Sequence, residues 1–190
     1  MNDAKQPLPT LPPVARYDRI TIALHWIVVV FVIGLYGSAL IWDSLPRGPR
    51  KSLEALHVSF GLLFVVVLAW RVYWRLFRRA HLPEIGNVAQ RLATALVHNG
   101  LYIMLVVQAV VGVCWRIAQQ EPLALFGLFA FPEPLIFDKA TRRLLGSIHE
   151  YLGHTIAIVA ALHALAALYH QYVLKDGLMQ RMRPLSRSRH

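Results

Sequence analysis

The stretch LLGSIHEYLGHTIAIVAALHALAALYHQYVL, residues 144–174, contains four histidines in an otherwise apolar run. A run of this length is sufficient to cross a membrane as a helix. Ionisable side chains are rare in such helices because their burial is costly, so each histidine is a candidate functional residue. His149, His163 and His170 are separated by multiples of seven residues. At about 100° per residue these three imidazoles share one helix face, whereas His154 lies off that face.

The composition of the chain indicates an integral membrane protein. Its 190 residues are 56% hydrophobic and 16% charged, whereas a soluble domain is about 45–50% apolar and about 25% charged. The net charge of +10 comes from basic residues at the ends of apolar runs, as membrane topology requires, so we expect no nucleic-acid partner. The single cysteine, Cys114, lies in an apolar run, which argues against an intramolecular disulfide and a cysteine-based metal cluster.

Four apolar runs reach the length of about 20 residues that a membrane-spanning helix needs. They cover residues 20–42, 53–77, 92–117 and 144–174. We therefore predict an all-α fold, an integral membrane four-helix bundle. The proline-rich residues 1–15 are predicted to form a disordered cytoplasmic tail, residues 16–184 the transmembrane domain, and residues 185–190 a basic tail. The apolar segment 123–131 is too short to span, and we expect it to lie along the outer interface or to cap the bundle.

The distribution of basic residues predicts the orientation of the bundle. Cytoplasmic loops carry an excess of Lys and Arg. Most of the 20 basic residues lie in or beside the N-terminal tail, the connection between the second and third helices, and the C-terminal tail: Lys5, Arg16, Arg19, Arg71, Arg75, Arg78, Arg79, Arg91, Lys175, Arg181, Arg183, Arg187 and Arg189. Both termini are therefore predicted to be cytoplasmic. Arg71 and Arg75 are expected to extend toward the lipid headgroups. The remaining basic residues lie on the outer side: Arg47, Arg50, Lys51, Arg116, Lys139, Arg142 and Arg143.

Histidines in different helices match in depth under this topology. His25 in the first helix pairs with His163 near the inner side, and His57 in the second helix pairs with His149 near the outer side. His149 and His163 are 14 residues apart, about 21 Å along the helix axis. Two imidazole pairs at separate depths are typical of two b-type haems with bis-histidine ligation. Close approach of a porphyrin also needs small residues nearby, for which the candidates are Gly34, Gly61, Gly153 and Ala160.

The histidines of the membrane helices could also have roles other than haem ligation. A histidine in a membrane helix often serves only as an interhelical hydrogen-bonding residue, and this is the favoured interpretation for His81, His98 and His154. His98 lies at a depth similar to that of His25 and is its main competitor as an inner ligand. A zinc site would need three or four ligands at one depth, which the sequence does not assemble.

Several short motifs resemble the bacterial cytochrome b561 family, within the wider group that includes b-type subunits of hydrogenases and formate dehydrogenases. The motifs are RYDR (16–19), LHW (24–26), LHVS (56–59) with Gly61, HE (149–150), LHA (162–164) and HQYVLKD (170–176). The resemblance covers residues 16–184 and implies a dihaem b-type cytochrome of the bacterial inner membrane. It implies His25 and His163 as ligands of the inner haem b, His57 and His149 as ligands of the outer haem b, and His170 near the quinone. Residues 79–87 depart from the family pattern, so the other quinone contacts stay open.

Two functions are compatible with these features. The short form most resembles the stand-alone members of the family, which implies an oxidoreductase that takes electrons from superoxide at the outer face and passes them to ubiquinone. The outer basic residues suit this function, since a positive field raises the encounter rate of an anion; pairing with nearby carboxylates or lipid phosphates explains them equally well. The alternative is a membrane-anchor subunit that carries electrons between a partner dehydrogenase or hydrogenase and the quinone pool.

Overall fold

The computed structural model describes residues 16–78, 82, 86–131 and 137–183. Four long helices dominate these ranges and confirm the predicted helical bundle. They are α1 (Arg19–Ile41), α2 (Arg47–Phe77), α3 (Val88–Ala118) and α4 (Lys139–Tyr169). Each is long and apolar enough to cross a membrane. The predictions for the two tails (1–15 and 185–190) and for His81 lie outside the described residues.

Three helices begin several residues before the apolar runs that predict them. α3 begins at Val88, because Asn87 and Gln90 form a reciprocal capping box with two hydrogen bonds of 2.9 Å. α4 begins at Lys139, because the Asp138 carboxylate accepts hydrogen bonds from the backbone and hydroxyl of Thr141. The first turns of these helices are polar, so the length of the apolar run underestimates the length of the helix.

The helices associate as two pairs, α1 with α2 and α3 with α4. Val28 of α1 packs with Phe64 and Leu68 of α2 in a buried apolar cluster. The outward surfaces of the helices are also apolar: Val30 is 68% exposed, and Val66 is 66% exposed. Helices that are apolar on their outer faces are expected where the surroundings are lipid.

A β-hairpin forms in the connection between α3 and α4, where only a short apolar segment was predicted. Its strands, β1 (Leu123–Leu125) and β2 (Phe129–Phe131), are antiparallel, with Leu125 opposite Phe129. Ser59 of α2 holds the hairpin, since its Oγ accepts a hydrogen bond from the backbone N–H of Phe126 at 2.9 Å. The hairpin therefore lies against α2 two residues beyond His57.

The chain after α4 returns to the beginning of α1. The predicted fourth helix continues to residue 174, but its last turn, His170–Leu174, is a π-helix, and Lys175 then adopts φ +52°. A short 3-10 helix follows at Met179–Met182. The Tyr17 N–H donates to the Arg181 carbonyl at 3.2 Å, and Trp26 Nε1 donates to the Met182 carbonyl at 3.0 Å. Both ends of the described chain thus meet at one end of the bundle.

Candidate cofactor site

A cavity of about 2240 Å³ lies between the helices and extends from one end of the bundle to the other. Pockets for drug-sized ligands are usually about 300–1,000 Å³. Seven histidines contribute to its wall: His25, His57, His98, His149, His154, His163 and His170. The cavity therefore has room for more than one large cofactor, with imidazoles along its whole length. The end that is predicted to face outward carries Trp42 and Lys139, and the end that is predicted to face the cytoplasm carries Tyr17 and Met182. They are named the outer end and the inner end after that prediction.

The structure brings together the two histidines that were predicted to pair near the outer side. The ring centroids of His57 and His149 are 6.3 Å apart, with an interplanar angle of 78°. Trp42 packs on His57 at 5.2 Å, and Trp115 packs on His149 at 5.6 Å. The four rings form an aromatic cluster contributed by α2, α3, α4 and the turn that follows α1.

The hydrogen bonds of Ser38 define the tautomer of His57. The Ser38 hydroxyl donates its one proton to the Leu35 carbonyl at 2.8 Å, so its oxygen acts as the acceptor toward His57 Nδ1 at 3.0 Å. His57 Nδ1 therefore carries the ring proton, and Nε2 keeps its lone pair. Histidines that bind metals commonly donate their other N–H to a nearby acceptor in this way.

His149 is held by α3 and has a free ring nitrogen. Gln108 Nε2 donates to the His149 carbonyl at 2.9 Å. A Cβ atom at Gly112 would lie 2.8 Å from His149 Cε1, so only glycine leaves room for the ring at this position. Within the described part of the chain, His149 Nδ1 is buried and has no hydrogen-bond partner. A buried polar atom without a partner is costly, and this one is available to a ligand.

Near the inner end, three histidines line the cavity. The predicted pair, His25 and His163, both contribute to the wall. The ring that packs on His163 in the described structure is that of His98, with centroids 5.0 Å apart. His98 Nδ1 donates to the Thr94 carbonyl at 2.7 Å, which leaves Nε2 with its lone pair. The inner site thus contains one more candidate ligand than a bis-histidine haem requires.

Arg71 does not extend toward the headgroups as its position near the end of the second run suggested. It is half-buried and turns toward α1, where it donates to His25 Nδ1 at 3.2 Å and to the Thr21 carbonyl at 3.4 Å. The guanidinium carbons of Arg71 and Arg75 lie 5.4 and 4.4 Å from the ring centroid of Tyr102 in α3. The spacing of four residues between the two arginines already placed them on one helix face, but the sequence did not show which way that face points.

His154 makes the interhelical hydrogen bond that was expected of it. Its Nδ1 lies 2.9 Å from the hydroxyl of Tyr36 in α1, and the two rings meet edge to face. This contact joins α1 to α4 across the cavity. His154 is therefore a structural link, and the sequence could not identify Tyr36 as its partner because the two residues are 118 positions apart.

His170 is bonded to a carboxylate at the inner end of the cavity. Its Nδ1 lies 2.5 Å from Asp176 Oδ2, and Asp176 Oδ1 accepts from the Leu178 N–H at 3.0 Å. Burial acts to raise the pKa of Asp176, but the hydrogen bonds from His170 and the Leu178 backbone outweigh it and lower that pKa below its usual value. Asp176 is therefore an ionised partner for the imidazole.

Small residues line the cavity largely where the sequence indicated. Gly61, Gly153 and Ala160 are part of the wall, but Gly34 is not. Gly34 follows His25 by nine residues, or two and a half helical turns, so it lies on the opposite face of α1. Gly37, three residues further on, takes its place in the wall.

The outer end of the cavity carries a cluster of basic residues. α2 and α4 both begin there, and neither has an acidic residue in its first turn. A helix N-terminus carries about half a positive charge. Lys139, Arg142 and Arg143 line this mouth. Nearby carboxylates neutralise part of this charge, as was expected for some of the outer basic residues. Arg50 pairs with Asp43 and Glu54 at 2.8 and 2.7 Å, and Arg116 pairs with Glu121.

The residues of the cavity suit b-type haem. His57, whose Nδ1 proton is held by Ser38, has the arrangement that is common for axial ligands, and Gly61, Gly153 and Ala160 leave space in the wall. In the described ranges, no three or more His, Cys, Asp or Glu side chains are gathered closely enough to hold a bare metal ion.

Comparisons with known proteins agree with this chemistry. The family model described as prokaryotic cytochrome b561 matches residues 16–184. Cytochrome b561 homolog 2 of Escherichia coli K12 is 29% identical over 88% of this chain and 90% of its own. The probable superoxide oxidase CybB of Yersinia pestis is 30% identical over 90% of this chain and 98% of its own. Cytochrome b562 of Cereibacter sphaeroides is 28% identical over 87% of this chain and 94% of its own. The chain belongs to the prokaryotic cytochrome b561 family and is a haem-binding, b-type membrane cytochrome of electron transfer.

Proposed function

We propose that the protein binds two b-type haems and carries electrons from superoxide at the outer face of the membrane to ubiquinone near the inner face. In this proposal His57 and His149 ligate the outer haem, and His25 and His163 ligate the inner one. Both termini are cytoplasmic, as the basic residues predict. The haems supply one-electron carriers whose iron is saturated on both sides by imidazole.

The observation that carries the proposal is the contact between His57 and His149 beside the positive mouth of the cavity. Their rings are 6.3 Å apart, and His57 is held as the Nδ1–H tautomer by Ser38. The relative from Yersinia pestis, named as a probable superoxide oxidase, supports superoxide as the donor. Both features concern the outer end, where electrons would enter.

The basic residues at the mouth give an anion a favourable path to the outer site. Lys139 and Arg143 form no ion pair with the carboxylates of the described chain, so their charges act on the cavity entrance. The N-terminus of α2, which has no acidic cap, adds to this potential, whereas the Asp138 carboxylate offsets the N-terminus of α4. A positive cleft raises the association rate of an anion, and the effect falls as salt screens it.

At the inner end, the pair of His170 and Asp176 is suited to proton transfer. Asp176 holds the Nδ1 proton of His170, so Nε2 is the nitrogen that is available to a quinone carbonyl. A histidine in this arrangement can donate a hydrogen bond when protonated and can deliver the proton that quinone reduction consumes. Asp176 orients the ring.

The proposal is tested by adding superoxide anaerobically to the purified protein. We expect two haems per chain, reduction of the haems by superoxide, and reoxidation by ubiquinone. The double variant Lys139→Gln with Arg143→Gln should be reduced several-fold more slowly at low salt and equally fast at high salt. Arg78→Gln removes one exposed charge at the other end of α2 and should leave the rate unchanged.

Three other results would contradict the proposal. A colourless preparation from haem-replete cells would exclude haem. An unchanged rate of haem reduction in the Lys139→Gln with Arg143→Gln variant at low salt would show that the basic residues at the mouth do not attract superoxide. Reduction by a co-purifying dehydrogenase, with none by superoxide, would assign the protein as the membrane anchor of that enzyme.

A further inference from the structure

We infer that Arg71 and Arg75 form a carboxylate-binding site for the propionate groups of the inner haem. The two residues are referred to as the inner arginine pair. The inference rests on the proposed function in that it takes a haem to lie at the inner histidines. It assigns to the pair a ligand that neither the sequence nor the family relation names.

The first step is the lack of an acidic partner. Both side chains are half-buried within a bundle of apolar helices. Among the described residues, neither forms an ion pair, and their polar partners are neutral. Arg71 donates to the Thr21 carbonyl and His25, and Arg75 donates to Asn99 Oδ1 at 2.7 Å. Buried charges are normally paired, because desolvation of an unpaired ion is costly. Two such cations side by side indicate an anionic ligand.

The second step is the geometry of the pair. Arg71 and Arg75 are four residues apart on α2, so their side chains are neighbours. Both guanidinium groups lie near Tyr102, at 5.4 and 4.4 Å from its ring centroid, which orients them from α3. Guanidinium groups bind carboxylates through two parallel hydrogen bonds, so two adjacent ones suit a ligand with two carboxylates.

The third step is a conflict between donors at His25. A guanidinium has no acceptor, so its bond to His25 Nδ1 requires that nitrogen to be unprotonated. A neutral imidazole that binds iron through Nε2 carries its proton on Nδ1. Ligation by His25 therefore breaks its bond to Arg71. Arg71 then needs another acceptor within reach, and the carboxylates of the same cofactor provide it.

The test is a potentiometric titration of the holoprotein with Arg71→Gln, Arg75→Gln and the conservative Arg71→Lys. A cation beside the propionates disfavours the more positive, oxidised haem, so its removal lowers the midpoint potential of the inner haem. We expect about a tenfold change in the oxidised-to-reduced ratio at a fixed potential, or about 59 mV for one electron. Arg71→Lys keeps the positive charge, so the midpoint potential of its inner haem should stay close to the wild-type value. Arg78→Gln is the matched control, because it removes an exposed charge from the same helix. The outer haem reports within each sample that the variant is folded.

A second measurement distinguishes carboxylate binding from a general effect of charge. The apoprotein is loaded with haem or with haem dimethyl ester, which lacks free carboxylates. In the wild type the ester should be held more weakly at the inner site. In the double variant Arg71→Gln with Arg75→Gln the two should be held equally, because both partners of the carboxylates are gone.

Two results would overturn the inference. One is an unchanged inner potential in both glutamine variants, with both haems present. The other is the loss of a co-purifying anionic phospholipid from these variants with the inner potential unchanged, which would assign the pair to a lipid phosphate. A wild-type protein without haem would instead contradict the proposed function itself.

Discussion

The outer and inner halves of the cavity differ in what surrounds their histidines. At the outer end, two histidine rings meet edge to face, and a serine hydroxyl and two tryptophans hold them. At the inner end, three histidine rings share the space with two arginines and a tyrosine. The outer half thus has two histidines supported by neutral side chains. The inner half has three histidines and two arginines that form no ion pair within the described chain.

This difference has a consequence for electron transfer. Fixed cations favour the reduced form of a nearby haem, and the inner arginine pair is turned into the bundle where screening by water and salt is weak. The cations of the outer mouth are closer to water and partly paired. If the proposed function holds, charge alone would give the inner haem the higher potential, which would favour electron flow from the outer side to the inner side.

The largest effect is expected at the outer pair, because within the described residues no third histidine ring packs against His57 or His149. His57→Ala should reduce the haem content from two per chain to one, because it removes an axial ligand. The content is measured as the pyridine haemochrome of the purified protein. His154→Ala is the control, since that ring bonds to Tyr36 and should keep both haems. Two haems in His57→Ala would refute the outer pairing.

The next prediction separates the two candidate ligands at the inner end. His25→Ala should lose the inner haem, because the proposal assigns His25 as an iron ligand. His98→Ala should keep that haem with an altered spectrum, because His98 packs on His163. Low-temperature spectra of the reduced α band distinguish the two haems. The opposite pattern would assign His98, whose Nδ1 proton is already held by the Thr94 carbonyl, as the ligand.

A smaller effect is expected from the support of His57. Ser38→Ala removes the acceptor that holds the His57 Nδ1 proton. Loss of such a support typically weakens metal binding about 10–100-fold. We expect roughly tenfold faster transfer of the outer haem to apomyoglobin, with the inner haem unaffected. Ser44→Ala is the control, because the Ser44 hydroxyl donates to the Ile41 carbonyl. Equal loss of both haems would show a general loosening of the fold instead.

The smallest effect concerns the helix caps at the two ends. Asp18 accepts hydrogen bonds from the backbone and hydroxyl of Thr21 at 2.9 and 2.6 Å, and from Trp74 Nε1 of α2 at 3.2 Å. Asp18→Ala should destabilise the protein by about 1 kcal/mol, or roughly 2–4 °C in melting temperature. Asp138→Ala should cost less, because Asp138 caps only its own helix.

The stabilisation by Asp18 should depend on pH in a defined direction. Burial acts to raise its pKa, but the bonds from Thr21 and Trp74 outweigh burial and hold the pKa below its usual value. The stabilisation is therefore complete above the unfolded pKa of about 3.9 and is lost as the pH falls through the lower folded value. The difference in melting temperature between wild type and Asp18→Ala should disappear in acid. A difference that persists below that range would show that charge is not involved.

The sequence predicted the features that depend on residues near one another along the chain. Four helices follow from the length of the apolar runs. The shared face of His149, His163 and His170 follows from the helical period, and all three line the cavity. The contact between His57 and His149 could be predicted because a four-helix topology places both residues at the same depth in the membrane.

The sequence could not predict features that depend on the rotation of one helix against another. Arg71 was expected at the headgroups, and only its contacts with α1 show that it turns inward. The contact of His98 with His163 also depends on how α3 is rotated against α4, which the sequence does not show. The hairpin was missed because its strands have only three residues each, and their pairing depends on the anchor supplied by Ser59.

The bonds between the beginning of α1 and the segment after α4 have a consequence for assembly of the bundle. Trp26 Nε1 and its partner, the Met182 carbonyl, are 156 positions apart, and Tyr17 bonds to Arg181 across a similar span. All four helices must therefore be made before these two bonds can form. Until then, the wall of the cavity beside His25 lacks the segment that follows α4. Closure of the cavity at this end is thereby coupled to completion of the fourth helix.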